Sequence, residues 1–369
     1  MLCALSDETT ELFQGGDYSS DCTGSQLYVS RYGVPLVDVA VGCRDIGSEM
    51  TTSTKLTWLC CSKPVLLIGL VRALTQVDGD EDSVIGRFIP EFTAPGKQDV
   101  TISHLLTHTV PYASLGITWT DDGARGTNEV DVMSASWADA VRLICAMPLS
   151  GPVGEAVTYT TVSNWHLLGE ILQRCTNRPY EEVIRETVLS PLGMDRTCLS
   201  ITEEGLPGIE FAPLTVRGGD DVRTTMLDSP PLLHALMPGL GCRGPAADLA
   251  KPIECVAGWV EPGQISDAWR AKLAKPRRLD LADPIFQGAE VQWSLGLCAD
   301  PMCYGLPLSK RAVGYTGARS SAVFADLDSG ITFAFTTNDM LPRERDWLRK
   351  RKLVRAIYRD LDLDFAESR

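Results

Sequence analysis

A thiol and an amine stand three residues apart in the stretch WLCCSKPV, at Cys60 and Lys63. The aliphatic run that follows predicts a buried helix over residues 61–76, with Pro64 in its first turn, where a missing N–H is tolerated. Residues three apart lie on one helix face, and the start of a helix favours a thiolate. Burial would favour Lys63 as a neutral amine that accepts a proton. This spacing suits nucleophilic catalysis, although such a stretch is more often core packing beside a surface charge.

Three segments follow one another at fixed spacing, namely CCSKP at 60–64, IPEF at 89–92 and HLLTHT at 104–109. Together they resemble the class C β-lactamase-like superfamily, which includes class C β-lactamases, D,D-peptidases, family VIII esterases and transacylases of the lovastatin type. In that superfamily a Ser-x-x-Lys-Pro motif opens the buried helix. Cys60 therefore stands where the family has its nucleophilic serine. Ser62 falls on another helix face, and the resemblance does not make it the nucleophile.

The family's second motif contains a tyrosine, and the stretch GEAVTYTTVSNWHLLG places Tyr159 at that position, ten residues before Gly169. Thr161 replaces the asparagine of the more familiar Tyr-x-Asn, a residue that helps to hold the acyl amide of a β-lactam. Asn164 is close in sequence but out of register. Taken alone, Tyr159 is also compatible with a tyrosine that caps a core helix.

The family's third motif is a Lys-Thr-Gly or His-x-Gly strand near the C-terminus, and here it reads Tyr315-Thr316-Gly317. Tyr315 replaces a cation that meets the substrate carboxylate in β-lactamases. Arg319 is a candidate to supply that charge, although its default interpretation is an exposed arginine. The resemblance implies that the backbone N–H groups of Cys60 and Ala318 hold the oxyanion. The expected substrate-binding residues are Tyr315, Thr316, Gly317, Arg319 and Thr161.

The resemblance implies a covalent acyl-enzyme at Cys60, with Lys63 and Tyr159 moving a proton to the leaving group. A cysteine gives a thioester, which forms readily from another thioester and transfers well to an amine or hydroxyl. We therefore predict an acyltransferase of specialised metabolism that acts on a small-molecule substrate. The expected donor is an ester, or a thioester of acyl carrier protein or coenzyme A. No cofactor and no metal are expected.

Other functions remain open at this point. A thiol-dependent esterase or amidase would use the same chemistry with water as the acceptor. The departures at Cys60, Thr161 and Tyr315 also allow a binding protein that has lost catalysis, but the retention of Lys63 and Tyr159 speaks against it. A non-acyl reaction in the same pocket, such as an intramolecular cyclisation, is a further alternative. The changes at Thr161 and Tyr315 argue against β-lactam turnover.

Strands are predicted at both ends of the chain, with helices between them. Residues 26–42 predict two strands around a turn, and residues 321–338 predict a hairpin around Asp-Ser-Gly. This order predicts an α+β fold, in which an antiparallel sheet built from both chain ends is flanked by helices. We expect a sheet lobe of residues 1–85 plus 295–369 and an inserted, mostly helical lobe of residues 86–294, forming one catalytic unit. The β-lactamase/D,D-peptidase resemblance implies the same architecture.

Two segments rich in turn-forming residues, 110–135 and 205–235, are predicted to be irregular. The resemblance is weakest over 110–150 and 200–235. We expect these regions to set substrate specificity, because long loops in compact enzymes often face the substrate.

Composition and charge exclude several classes of protein. The chain has 369 residues, 44% of them hydrophobic and 22% charged, which is typical of a globular protein. Its net charge of −14 argues against binding nucleic acid or an anionic membrane. The N-terminus lacks a basic and apolar leader, and no uninterrupted apolar run could span a membrane, so we expect a cytoplasmic protein. The 12 cysteines are then expected to be mostly buried thiols, and the sequence does not indicate an oligomeric state.

Overall fold

The computed structural model describes residues 6–14, 23–113, 117–120, 123–126, 129–157, 159–218, 221–260, 265–277, 291–299, 301 and 305–363. The helices within these residues are α1 Asp7–Gln14, α2 Lys63–Gln76, α3 Ile102–Leu106, α4 Glu129–Ser134, α5 Trp137–Ala146, α6 Ser163–Thr176, α7 Tyr180–Ile184, α8 Ala246–Ala257, α9 Asp267–Ala274 and α10 Arg343–Asp360. Short 3₁₀ turns lie at Leu59–Ser62, Ile85–Arg87, Leu206–Gly208 and Met226–Asp228, and a π-helical turn lies at Arg185–Leu189.

The strands belong to one large sheet and several small ones. Those of the large sheet are β1 Gly24–Arg31, β2 Val34–Asp45, β3 Ser48–Glu49, β11 Gln292–Trp293, β12 Cys298–Ala299, β13 Ala312–Gly317, β14 Ser321–Asp326 and β15 Ile331–Thr337. The others are β4 Lys55–Thr57, β5 Ile117–Thr120, β6 Gly123–Gly126, β7 Phe211–Ala212, β8 Thr215–Gly218, β9 Asp221–Thr224, β10 Arg243–Gly244 and β16 Asp339–Met340.

The large sheet is built from both ends of the chain. Its order across the described residues is β11-β12-β13-β14-β15-β1-β2-β3, and every neighbouring pair is antiparallel. Strand β1 lies beside β15, with Tyr28 opposite Ala334. The α+β class and the antiparallel sheet from both chain ends are thus confirmed.

Helices cover both faces of this sheet. On one face, Glu254 of α8 accepts a hydrogen bond from Ser30 of β1 at 2.5 Å. On the other face, Tyr358 of α10 donates to Asp326 of β14 at 2.7 Å. Because both faces are covered, every residue of β14 and β15 is buried, including polar residues such as Asp326 and Thr332.

Helix α2 crosses the core between the sheet and the other helices. It packs against α6, α7 and α8, so that it is buried from Lys63 to Leu74 with few exceptions. Gly69 permits this packing, since a Cβ there would lie 2.7 Å from Ile184 Cδ1. By length and composition alone Leu59–Gln76 could cross a membrane, but 83% of that segment is buried inside the protein. Its apolar composition is explained by packing in the core.

Two regions predicted to be irregular contain regular structure. Segment 110–135 includes the β5–β6 hairpin and α4, and segment 205–235 includes β7, β8 and β9. The prediction was wrong there because these strands have two to four residues, too few for an alternating pattern to show. Strand β8 also pairs with the distant β16, with Thr215 opposite Asp339.

The two predicted lobes share one hydrophobic core, which contains Leu27 and Phe335 from the sheet and Leu67 and Leu168 from helices. Their division at residues 85 and 295 stays a prediction. Among the described residues, the free cysteines are Cys43, Cys60, Cys61, Cys145, Cys175, Cys198, Cys242, Cys255 and Cys298.

Candidate active site

Cys60 lies in the 3₁₀ turn Leu59–Ser62, which leads directly into α2. Leu59 has a φ of 52°, in the left-handed region that a leucine rarely adopts. The turn is held by Trp58, whose indole N–H donates to the Gly244 carbonyl oxygen at 2.8 Å. This arrangement fixes the Cys60 thiol ahead of a 14-residue helix, where the helix dipole favours negative charge.

The two neighbours of Cys60 are engaged elsewhere. The Cys61 sulfur lies 3.4 Å from the Tyr315 carbonyl oxygen, and burial raises the pKa of this thiol to about 12. The Ser62 hydroxyl accepts a hydrogen bond from the Cys242 N–H at 3.1 Å. Cys60 is 5% exposed and Cys61 is 1% exposed. Of these three side chains, Cys60 is the most exposed, and its role as the nucleophile stays a prediction.

Lys63 is fully buried at the start of α2, and its position is tightly fixed. Its ammonium nitrogen donates to the carbonyl oxygens of Thr161 at 3.1 Å and Gly239 at 3.0 Å. Three aromatic rings also surround it, with centroids 5.4–5.5 Å away, those of Tyr159, Trp165 and Tyr315. Aromatic faces attract a cation, so the cage holds the lysine side chain beside the tyrosines.

Tyr159 and Tyr315 form a buried pair of phenols beside the thiol. Their hydroxyl oxygens are 3.5 Å apart, and both phenols lie close enough to the Cys60 thiol for it to raise their pKa values. Burial raises the pKa of Tyr159 well above its usual value, and the nearby Cys60 and Tyr315 raise it further. Tyr159 is thus a protonated phenol at neutral pH, which suits it to donate a proton.

The end of β13 packs directly against the turn that carries Cys60. A Cβ on Gly317 would lie 2.4 Å from the Trp58 carbonyl oxygen and 3.1 Å from Leu59 Cβ, so only glycine fits. The Ser321 hydroxyl donates to the same Trp58 oxygen at 2.6 Å. Ala318 follows Gly317 in the turn between β13 and β14, next to this contact. The oxyanion hole formed by the Cys60 and Ala318 N–H groups stays a prediction.

The structure places the other predicted site residues as follows. Thr161 contributes its carbonyl oxygen to Lys63. Thr316 lies on β13 opposite Ala322. Arg319 is half-buried in the β13–β14 turn with a φ of 59°. Their substrate contacts stay predictions. The Asn164 side-chain amide donates a hydrogen bond to the Leu105 carbonyl oxygen at 2.9 Å, so this side chain connects α6 to α3.

Sequence reasoning missed two residues of this cluster. His108 is fully buried, and its ring centroid lies 4.5 Å from that of Tyr159. Trp293 stacks on Tyr159 with a centroid distance of 5.6 Å and an interplanar angle of 20°. His108 belongs to the HLLTHT segment, whose spacing supports the family resemblance but assigns no role to this histidine. Nothing in the sequence around Trp293 signals its position.

A second feature lies away from these residues. A groove of about 700 Å³ runs beside α5 and α6, lined by Glu91, Thr93, Ala94, Trp137, Ala138, Val141, Arg142, Cys145, Ala146, Glu170 and Arg174. None of the predicted catalytic residues lines it. Across the described part of the chain, no group of three or more His, Cys, Asp or Glu side chains could hold a metal ion.

Comparison with known proteins gives matches along nearly the whole chain. The protein family described as Beta-lactamase matches residues 9–356. The sequence is 25% identical over 351 residues to esterase EstB of Burkholderia gladioli, covering 85% of this chain and 86% of that protein.

Solved structures with similar folds include two that carry a described activity. One is EstCE1, described as a hydrolase with promiscuous acyltransferase activity, with a TM-score of 0.77 and 20% identity over 94% of this chain and 97% of that chain. Another is simvastatin synthase LovD of Aspergillus terreus, as the LovD6 mutant, with a TM-score of 0.73 and 16% identity over 96% and 94% of the two chains. At these identities the likeness concerns the fold.

Proposed function

The chain belongs to the beta-lactamase family, and we propose that it transfers acyl groups through a thioester on Cys60. Membership makes it an acyltransferase or hydrolase of the β-lactamase-like superfamily. The proposal names the nucleophile and chooses transfer over hydrolysis. The donor is an ester or a thioester, such as an acyl-carrier-protein or coenzyme A thioester. The acceptor is a small molecule of specialised metabolism.

One observation carries the proposal, which is the meeting of Cys60, Lys63 and Tyr159. Cys60 lies close enough to Tyr159 to raise the pKa of its phenol, and the Lys63 side-chain nitrogen lies 5.5 Å from the Tyr159 ring centroid. These residues come from two distant segments of the chain. A thiol, a lysine amine and a protonated phenol grouped around one place are the groups that covalent acyl transfer uses.

The reaction then has two halves. In the first, Cys60 attacks the donor carbonyl carbon as a thiolate, a C–S bond forms, and the donor's C–O or C–S bond breaks, which leaves Tyr159 as a phenolate once it has given up its proton. The leaving alcohol or thiol takes its proton from Tyr159. In the second, an acceptor hydroxyl or amine attacks the thioester, its proton returns to Tyr159, and the Cys60 sulfur leaves. Lys63 stabilises the thiolate at both ends of the cycle.

The residues of the third motif support an uncharged acyl group. Tyr315 ends its side chain in a neutral phenol, where β-lactamases have a cation that meets a carboxylate. Burial raises the pKa of Tyr315 well above its usual value, so the phenol stays neutral. A substrate carboxylate would therefore gain no ion pair from Tyr315, and we propose donors without a carboxylate at that position.

Hydrolysis is the second candidate. The name of EstB as an esterase and the description of EstCE1 as a hydrolase favour water as an acceptor on this fold. The same description assigns EstCE1 a promiscuous acyltransferase activity, so the two outcomes are close in chemistry. Both require the same acyl-enzyme, and they differ only in the molecule that attacks it.

The test first forms the acyl-enzyme and then compares the amounts of acylated acceptor and free acid that it releases. The protein is incubated with short-chain acyl-coenzyme A, N-acetylcysteamine thioesters and p-nitrophenyl esters, and peptide-resolved mass spectrometry locates the acyl adduct. We expect the adduct on Cys60, in the wild type and in Cys61→Ala, and none in Cys60→Ala. Alcohols and amines are then added in competition with water. Acylated acceptor in excess of free acid supports acyl transfer. Free acid as the only product would contradict the transferase and identify the protein as a hydrolase.

A further inference from the structure

We propose that His108 is a positioning residue that orients the hydroxyls of Tyr315 and Tyr159 so that Tyr159 donates its hydrogen bond to Cys60. The inference rests on the proposed function for its catalytic meaning. Its geometrical part concerns only a row of side chains that are all buried. That row runs from His108 through Tyr315 and Tyr159 to Cys60.

The direction of hydrogen-bond donation along the row is set by a backbone N–H group. His108 Nδ1 lies 3.3 Å from the Thr160 nitrogen and accepts its N–H. A backbone N–H can only donate, so Nδ1 must be the unprotonated nitrogen of the imidazole. The neutral ring then carries its hydrogen on Nε2. His108 is thereby fixed as an acceptor on one side and a donor on the other.

The same direction continues through the two phenols. His108 Nε2 lies 3.4 Å from the Tyr315 hydroxyl, which accepts the Nε2–H. The Tyr315 hydrogen then points to the Tyr159 oxygen, 3.5 Å away. With its oxygen accepting from Tyr315, the Tyr159 hydroxyl directs its own hydrogen elsewhere, and the nearby Cys60 sulfur is the acceptor in this inference. Each distance is long for a hydrogen bond, as is common before a substrate tightens a site.

The backbone at His108 gives an independent reason to look for a role. The residue follows α3 with a φ of 55°, where glycine or asparagine is the easier choice. A histidine at this position is kept in a strained backbone conformation while its ring packs 4.5 Å from Tyr159 and 4.7 Å from Trp293. The strained conformation is explained if the imidazole ring itself is needed, and the row of hydrogen bonds indicates that the ring is needed to orient the Tyr315 and Tyr159 hydroxyls.

The consequence concerns the role of Tyr159 in the reaction. A phenol whose hydrogen is aimed at the sulfur stabilises the thiolate and is ready to protonate a leaving group that departs from the same place. With the row reversed, the Tyr159 oxygen would face the thiol and act as an acceptor. His108 therefore sets Tyr159 as the acid of the first half-reaction.

Two substitutions by amide side chains, His108→Gln and His108→Asn, test the donation from Nε2 separately from the contact that Nδ1 makes. In His108→Gln the amide nitrogen sits near the place of Nε2 and keeps the donation to Tyr315. In His108→Asn the shorter side chain sits near the place of Nδ1, keeps the contact with the Thr160 N–H and loses that donor. Asparagine also tolerates the positive φ better than glutamine or histidine. His108→Asn should therefore be the better tolerated by the backbone, while His108→Gln should be the one that keeps the donation to Tyr315. A loss caused by poor folding can thus be distinguished from a loss of the hydrogen-bond donor.

The measurement needs no known substrate. Iodoacetamide alkylation of Cys60 is followed at pH 7.5 by peptide-resolved mass spectrometry in the full-length wild type, His108→Gln, His108→Asn and Tyr315→Phe, with thermal unfolding of each. We expect alkylation about fivefold slower in His108→Asn and Tyr315→Phe, because the hydrogen bond from Tyr159 to the sulfur is weakened, and within about twofold of wild type in His108→Gln. The double variant His108→Asn with Tyr315→Phe should be no slower than either single variant.

Equal rates in all four proteins would overturn the inference, as would a His108→Gln rate as slow as that of His108→Asn, or additive losses in the double variant. Acyl loading of the wild type is run in parallel. If no adduct forms, the proposed function fails, while the alkylation pattern still decides the role of His108. If loading occurs and the alkylation pattern is flat, the function stands and His108 is only a packing residue.

Discussion

Two buried lysines in this protein have nearly the same immediate surroundings. Lys63 and Lys97 are both fully buried, and each ammonium nitrogen donates to two backbone carbonyl oxygens at 2.9–3.1 Å. Each also lies against aromatic rings, with Lys97 placed 4.3 Å from the Phe92 ring centroid and 5.5 Å from that of Tyr112. A buried lysine in an aromatic cage is therefore not in itself a sign of catalysis.

The neighbours of the two lysines differ. Lys97 bonds to the carbonyl oxygens of Ile144 and Cys145 in the last turn of α5, where the helix dipole favours a cation. Burial raises the pKa of the Cys145 thiol to about 11, so that it stays protonated. Lys63 instead lies at the start of α2, beside a strained turn with a thiol and beside two phenols. The comparison teaches that the thiol at a helix start and the phenol pair distinguish the proposed active site from a buried lysine that only stabilises the fold.

The strongest way to break the comparison is to remove each thiol. Cys60→Ala should lower acyl turnover by at least about a thousandfold, because no acyl-enzyme can form. Cys61→Ala and Cys145→Ala should keep most of it, since burial raises the pKa of both thiols and keeps them protonated. Steady-state turnover of a thioester donor measures this, with circular dichroism as the folding control. Equal losses at Cys60 and Cys61 would refute the assignment.

The next largest effect on activity is expected from replacing the two buried lysines, Lys63 and Lys97. Lys63→Met and Lys97→Met each replace an ammonium group by an apolar side chain of similar length and leave two carbonyl oxygens without that donor. Their effects on thermal stability should be similar. Activity should fall about 10²–10⁴-fold in Lys63→Met, as for loss of a group that stabilises a proton transfer, and less than about threefold in Lys97→Met. If Lys97→Met lost activity to the same degree while folded, the distinction drawn between the regions would be wrong.

Cys60→Ser sharpens what the Lys63 region can do. A serine hydroxyl is a much weaker acid than a thiol, so a base must assist its attack. If Lys63 and Tyr159 supply that assistance, about 1–10% of wild-type ester turnover should survive. The measurement is turnover of p-nitrophenyl esters by Cys60→Ser beside Cys60→Ala. Identical rates in the two variants would mean that the pair serves only a preformed thiolate.

The smallest effect concerns the stability contributed by Lys97. Burial lowers its pKa to about 8, below the value of ~10.5 expected in the unfolded chain. Above about pH 8 the unfolded chain therefore holds more protons at this site, and the free energy of unfolding rises with pH on account of Lys97. Between pH 7.5 and 9.5 we expect wild type to gain about 1–2 kcal/mol relative to Lys97→Met in urea unfolding. Parallel pH profiles for the two proteins would contradict the lowered pKa.

Much of the fold followed from patterns along the chain. The apolar run after Lys63 predicts α2, the alternation around Asp-Ser-Gly predicts β14 and β15, and the spacing of three motifs led to the family that the comparison confirms. The predicted enzyme class, an acyltransferase or hydrolase, is confirmed with it. These features are local or depend on residue types at fixed intervals, which is what a sequence displays directly.

What could not be predicted depends on contacts between distant segments. The Gly239 carbonyl oxygen that fixes Lys63 is separated from it by 176 positions, and any residue type provides a carbonyl. Trp293 reaches Tyr159 only because the edge strand β11 brings it there. Short strands such as β8 are stabilised by pairing with β16, so their own sequences carry little pattern. The two regions compared above could not be distinguished before these contacts were known.

The central claim is that Cys60 is the nucleophile of this protein, and the reaction rates of its adjacent thiols test it most directly. Iodoacetamide alkylation of the native protein is followed from pH 6 to pH 9, with the Cys60 and Cys61 thiols distinguished by fragment masses. Burial raises the pKa of Cys61 to about 12, so it should remain unreactive. The account predicts that Cys60 is alkylated at least about tenfold faster than Cys61 throughout the range. A Cys60 that stays inert, or that reacts no faster than Cys61, would contradict it.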